Sequence, residues 1–133
     1  MPRFPSAEWA EAFRIALESN AAYAEAARAW EGEILLLVTP DAEHPQTCGV
    51  QLDLLHGSCR SARFLPDATG ATSEFVFQGE RSSWERILRP ETDPVKAIMD
   101  GTIGIKGNLA KLMRFTRAAK ELVGTAAAIP AEP

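Results

Sequence analysis

The sequence predicts an α/β fold of the α+β type: a five-stranded, mostly antiparallel sheet with helices packed on one face. Three observations predict it. Helical periodicity occupies both ends of the chain, strand-like runs joined by short turns occupy the middle, and no repeat or linker divides the 133 residues. That length suits one domain able to bury roughly two thirds of the surface its unfolded form exposes.

Ser6 with Glu8 reads as a helix start, and Trp9, Ala12, Phe13, Ala16 and Leu17 recur at helical spacing, so a first helix is expected over Ser6 to Ser19. Asn20 is placed to cap a second, Ala-rich helix through Tyr23, Ala27 and Trp30, which Gly32 ends. The period then changes. Ile34 to Val38 is an apolar run with no polar face, as in a strand covered on both sides, and predicts a central strand over Glu33 to Thr39. A loop from Pro40 to Gln46 leads to a hairpin of Cys48 to His56 and Arg60 to Leu65 around Gly57-Ser58-Cys59. A three-residue turn sets Leu52 against Phe64, Leu54 against Ala62 and Asp53 against Arg63, whereas a two-residue turn sets Leu52 against Arg63; the three-residue turn is expected.

In Glu74 to Gln78, Phe75 and Phe77 share one face, as strand alternation requires. Ser82 and Glu85 read as the capping box of a short helix holding Trp84, Ile87 and Leu88, stopped at Pro90. Asp93 as N-cap, Pro94 at the first helical position, Val95, Ile98 and Met99 on the apolar side, and Gly101 at the close define the next helix. Thr102 to Lys106 is a short strand, Gly107 turns the chain, and Asn108 caps a final helix to about Val123. A single domain is therefore expected over residues 1–123, with 124–133 as a loose Ala- and Pro-rich tail.

Bulk properties exclude several classes. A net charge of -4 argues against nucleic acid, whose phosphates need clustered Lys and Arg. The first residues contain Pro, Glu and Trp and do not form a signal peptide, and the dense run Ile34 to Val38 is far short of the ~20 residues that span a bilayer. Cys48 and Cys59 form no CxxC pair, so no disulfide framework or zinc pattern is implied and a reducing, cytoplasmic setting is expected.

The stretch Ser83 to Leu88, followed by Asp93-Pro94-Val95-Lys96-Ala97-Ile98-Met99-Asp100-Gly101-Thr102-Ile103-Gly104-Ile105-Lys106-Gly107-Asn108-Leu109, resembles the second half of the sterol carrier protein 2 (sterol transfer) family. The resemblance covers about Phe75 to Val123, and the earlier part follows in element order alone. It implies a five-stranded sheet with helices on one face, enclosing an apolar cavity that takes a fatty acyl chain, a sterol-like molecule or another lipid. The positions it assigns to that cavity are Phe75 and Phe77, Met99, Ile103 and Ile105, and the inward side of the last helix.

The residues add their own argument on that helix. Leu109, Leu112, Met113, Thr116, Ala119 and Val123 share one side at helical spacing, with Phe115 and Leu122 flanking, and Met and Thr beside Leu make a soft wall. Such a stripe is also what an ordinary core face looks like. Each buried methylene contributes roughly 0.8 kcal/mol, so an acyl chain needs no charged anchor or cofactor to bind.

Sharper chemistry is poorly supported. His56 lies near Cys59, but a catalytic pair needs an orienting third group and zinc needs more ligands, so a turn cysteine beside a solvated histidine is the simpler reading. Asp41, Glu43 and His44 read as a solvated loop, and Gly101, Gly104 and Gly107 match no phosphate-loop spacing. Lys111, Arg114, Arg117 and Lys120 line the last helix as a wet face able to touch an anionic membrane surface. The function expected is non-catalytic carriage or presentation of a lipid-like ligand. An accessory or homodimeric subunit gripping a protein with the same groove stands second, and a small enzyme on an apolar substrate third.

Overall fold

The structure is a computed structural model and describes residues 3–89 and 94–129. Its elements are α1 (Ala7–Glu18), α2 (Ala21–Ala26), β1 (Glu31–Thr39), β2 (Cys48–Leu55), β3 (Ser58–Leu65), β4 (Phe75–Glu80), α3 (Arg81–Leu88), α4 (Pro94–Met99), β5 (Gly104–Lys106), α5 (Leu109–Met113) and α6 (Thr116–Ala128). Three expected caps are in place. The Ser6 hydroxyl accepts from the Trp9 amide at 3.0 Å, Asn20 Oδ1 from the Tyr23 amide at 3.0 Å, and Asn108 Oδ1 from the Lys111 amide at 3.2 Å. The expected Asp93 cap and Pro90 stop lie outside the described residues.

The five strands form one sheet in the order β3-β2-β1-β4-β5. The apolar run Ile34 to Val38 is central, as expected, antiparallel to β2 on one side and parallel to β4 on the other. Side chains alternate across it. Ile34, Leu36 and Val38 join Val50, Leu52, Leu54, Phe75 and Phe77 in the main core, while Leu35 and Val76 are buried outside that cluster. Near them the β3–β4 connection is tied down, with the Ala68 amide donating to the Thr47 carbonyl at 2.8 Å and Gln51 Nε2 to the Ser73 hydroxyl at 2.8 Å.

The hairpin corrects the expected register. Leu55 pairs with Ser58, so His56 and Gly57 form a two-residue turn, with φ of 50° and 84°, the left-handed pair that the right-handed strand twist favours. The apolar pairing survives because a bulge between Asp53 and Leu54 takes up Arg60, which puts Leu52 opposite Ala62 and Val50 opposite Phe64. Asp53 therefore meets Arg60 at 3.0 Å, and Arg63 donates to Gln51 at 2.8 Å. Both cysteines are free: Cys48 pairs with Val38 and Cys59 with Leu54, which sets them about 20 Å apart along β2.

Two further differences lie in the second half. β4 runs on to Glu80 and passes straight into α3, so Ser82 and Glu85 lie inside the helix and no capping box forms. Instead Trp84 Nε1 donates to the Leu37 carbonyl at 3.0 Å and holds α3 to the sheet. The expected single last helix is broken at Phe115, whose φ of -118° and ψ of 31° leave the helical region, and α6 then runs to Ala128, past the expected end at Val123. Thr116 Oγ1 donates to the Met113 carbonyl at 2.8 Å across the break. At the break the partly buried Phe115 ring packs against the core and meets Trp30, which offsets the interruption of the helical ladder.

Candidate functional site

Two aromatic groups occupy the layer between helices and sheet. In one, Trp9 stacks on Phe13 at 5.2 Å between ring centres and meets Phe4 edge-on at 4.7 Å, with Trp84 beside Phe4 at 6.1 Å. This part is filled: Trp9 and Phe13 are fully buried. In the other, Trp30 meets Phe75 at 5.2 Å and Phe115 edge-on at 5.0 Å.

Beside this second group lies an apolar seam lined by Tyr23, Trp30, Ile34, Leu54, Phe77, Leu112, Phe115, Ala118, Ala119 and Leu122. Each side has a structural reason. The sheet offers alternate residues of β1, β2 and β4, and the break at Phe115 swings α6 so that Ala118 and Leu122 face inward. Burial pushes the Tyr23 phenol above its ordinary range, so this side chain stays neutral. The free volume is about 20 Å³, room for one water, whereas small-molecule pockets span about 300–1,000 Å³. The seam is narrow and partly open to solvent, and holding a lipid in so little space requires a wall to move.

The wall with least to hold it is α5, which has no buried residue. It enters through Gly107, whose φ of 136° and close approach to Phe75 exclude a side chain, and leaves through the break at Phe115. Its main tie is Lys111. Nζ donates to Glu74 Oε1 and to the Glu31 carbonyl, each at 2.7 Å, and sits 4.9 Å above the Trp30 ring and 5.9 Å from that of Phe75.

Of the residues that the sequence pointed to, the structure gathers Phe77, Leu112, Phe115 and Ala119 around this seam. Phe75 is buried next to Trp30, Ile103 is buried, and Ile105 packs against the core from the edge of the sheet. Met99, Leu109, Met113 and Thr116 are on the surface, Met99 at 81% exposure. The break at Phe115 turns the last three of these outward. Leu122, expected to flank the apolar side of the last helix, lines the seam as well, whereas sequence reasoning missed Tyr23, Trp30, Ile34, Leu54 and Ala118; an aromatic just before the central strand, Trp30, was the available signal.

The polar groups of the hairpin end and of the β1–β2 loop make local contacts. His56 Nε2 pairs with Glu31 at 2.7 Å on the surface, while the Cys59 thiol points inward to the Ser61 carbonyl at 3.4 Å and burial pushes it up to about 12. Asp41 is a loop cap held below the ordinary carboxylate range by the amide of His44. Among the described residues no three His, Cys, Asp or Glu side chains gather in a way that would hold a metal.

The five-stranded mixed sheet thus carries α5 and α6 over a narrow apolar seam. The chain belongs to the SCP-2 sterol transfer family, whose model matches residues 13–120. A crystal structure of sterol carrier protein 2 is 35% identical, with a TM-score of 0.88, covering 94% of this chain and 98% of that one. A protein of Thermus thermophilus, described as possibly a sterol carrier protein, is 34% identical, with a TM-score of 0.85, covering 96% of this chain and 90% of that one. The apo form of sterol carrier protein 2 from Yarrowia lipolytica shares the fold at 15% identity, with a TM-score of 0.60, covering 90% of this chain and 89% of that one. Among curated proteins none matches significantly. Among the described residues no helix is long and apolar enough to cross a membrane.

Proposed function

We propose that this protein carries or presents a lipid-like molecule with a long apolar part, taken up into the seam between the sheet and α5–α6, and performs no covalent chemistry on it. The observation that carries this reading is the seam itself: ten side chains, none of them charged, converge from sheet and helices on a narrow space beside a lightly held helix. Family membership points the same way. An acyl chain that replaces the contacts between Leu112, Phe115 and the sheet gains about 0.8 kcal/mol per buried methylene and needs no anchor, so such a site selects by volume. Tyr23 offers one neutral polar tip for a headgroup or hydroxyl. Two free, buried thiols suit a reducing compartment such as the cytoplasm.

The test is a mass spectrum of the organic extract of purified protein, paired with titration by a fluorescent fatty acid. A lipid in the extract, or saturable one-to-one uptake of the probe, is the expected result. Protein that is free of lipid and takes up neither the fatty acid nor a fluorescent sterol would overturn the reading and favour a protein-binding role.

A further inference from the structure

Charge is distributed very unevenly along this chain. Five of its fourteen basic residues and none of its eighteen acidic ones lie in residues 101–120, which leaves a net charge of -9 elsewhere. The same stretch includes α5. On that helix Leu109 and Met113 stand one turn apart, 54% and 74% exposed, while Arg114 and Arg117 beyond them are exposed as well. Leu112, on the other side of the same helix, lines the seam. One short helix thus has one side on the cavity and an apolar side in solvent among basic residues.

We infer that Leu109, Met113, Arg114 and Arg117 form a docking surface for an anionic lipid bilayer. Leu109 and Met113 enter the headgroup layer, and the two guanidinium groups meet lipid phosphates bidentately. Charge complementarity selects this occupant and this orientation. An anionic surface repels a body of net charge -9, so only the basic stretch approaches it closely. Apolar tips at the centre of the patch suit a bilayer better than a nucleic acid. The purpose of docking rests on the carrier reading: it brings the least held wall of the seam to the place where a lipid would leave or enter. The surface itself is measured separately.

The experiment is co-sedimentation of the full chain with vesicles of phosphatidylcholine alone and of phosphatidylcholine mixed with phosphatidylglycerol. The wild type should bind the mixed vesicles, bind neutral ones weakly, and come off as salt rises. Arg114→Glu/Arg117→Glu and, independently, Leu109→Glu/Met113→Glu should each lower affinity for mixed vesicles at least about tenfold. Ile15→Glu, on the exposed side of α1, should leave it unchanged. Uptake of a fluorescent fatty acid from solution by Arg114→Glu/Arg117→Glu should match wild type. Equal binding of both vesicle types, binding to neither, or full binding by both double variants would overturn the docking surface. Loss of vesicle binding in the variants, with no fatty-acid uptake by any protein, would uphold the surface and sink the carrier reading instead.

Discussion

Ala118→Leu separates a ligand seam from an ordinary core. Ala118 is buried on α6 and faces the seam, so the substitution sends three more carbons into about 20 Å³ of free space. In a close-packed core such overpacking costs about 1–3 kcal/mol. In a seam whose wall moves, the added carbons occupy ligand space. Their burial returns about 2.4 kcal/mol at 0.8 kcal/mol per methylene, so stability should stay within about 1 kcal/mol of wild type. The same 2.4 kcal/mol is then denied to the ligand, an affinity loss of about fifty-fold. Urea midpoints give the stability, and energy transfer from tryptophan to a polyene fatty acid gives the affinity. A stability loss of about 3 kcal/mol together with unchanged affinity would refute the reasoning, because the ligand would then bind elsewhere.

Gly107→Ala should cost about 1–3 kcal/mol, since φ is 136° and the new Cβ would lie 2.5 Å from the Phe75 ring; a melting curve like wild type's would contradict the turn geometry. Lys111→Met removes a half-exposed ion pair with Glu74 and the contact over Trp30, for a loss of about 1 kcal/mol in urea and faster probe uptake as α5 is released. Unchanged uptake rates would show that α5 is not the moving wall. Cys59 has an ordinary pKa of 9.0, raised to about 12 by burial, so the native state keeps a proton that the unfolded chain loses. Its contribution is intact below pH 9 and declines as pH rises from 9 to 12, by up to about 4 kcal/mol. Cys59→Ala should show a shallower alkaline decline, and an equally steep one would assign that decline to other groups.

Much of the fold was legible because local signals agreed with the tertiary arrangement. Ser6, Asn20 and Asn108 cap because their side chains reach amides three residues on, which sequence states directly. The alternation of Phe75 and Phe77 fixed β4's inward face in the same way. The turn was misread because a bulge at Arg60 changes register within the hairpin, and apolar pairing is satisfied by either combination of turn length and bulge. The site was half legible for a related reason. Helical spacing assumed one axis from Leu109 to Val123, and the break at Phe115 gives two, turning Leu109 and Met113 out and Ala118 and Leu122 in. Nothing local announces that break, because it arises from Trp30, 85 residues earlier in the chain, receiving the Phe115 ring. Lining residues before Phe75 were missed where no motif set them apart from core.

The most direct measurement is a methyl-resolved NMR titration of the protein with a long-chain fatty acid. Methyls of Ile34, Leu54, Leu112, Ala118 and Leu122, which line the seam, should shift together and saturate, while those of Leu35 and Val76, buried outside the main core, stay in place. Shifts confined to the exposed Leu109 and Met113, or no shifts at all, would contradict the claim that the seam between the sheet and α5–α6 holds the ligand.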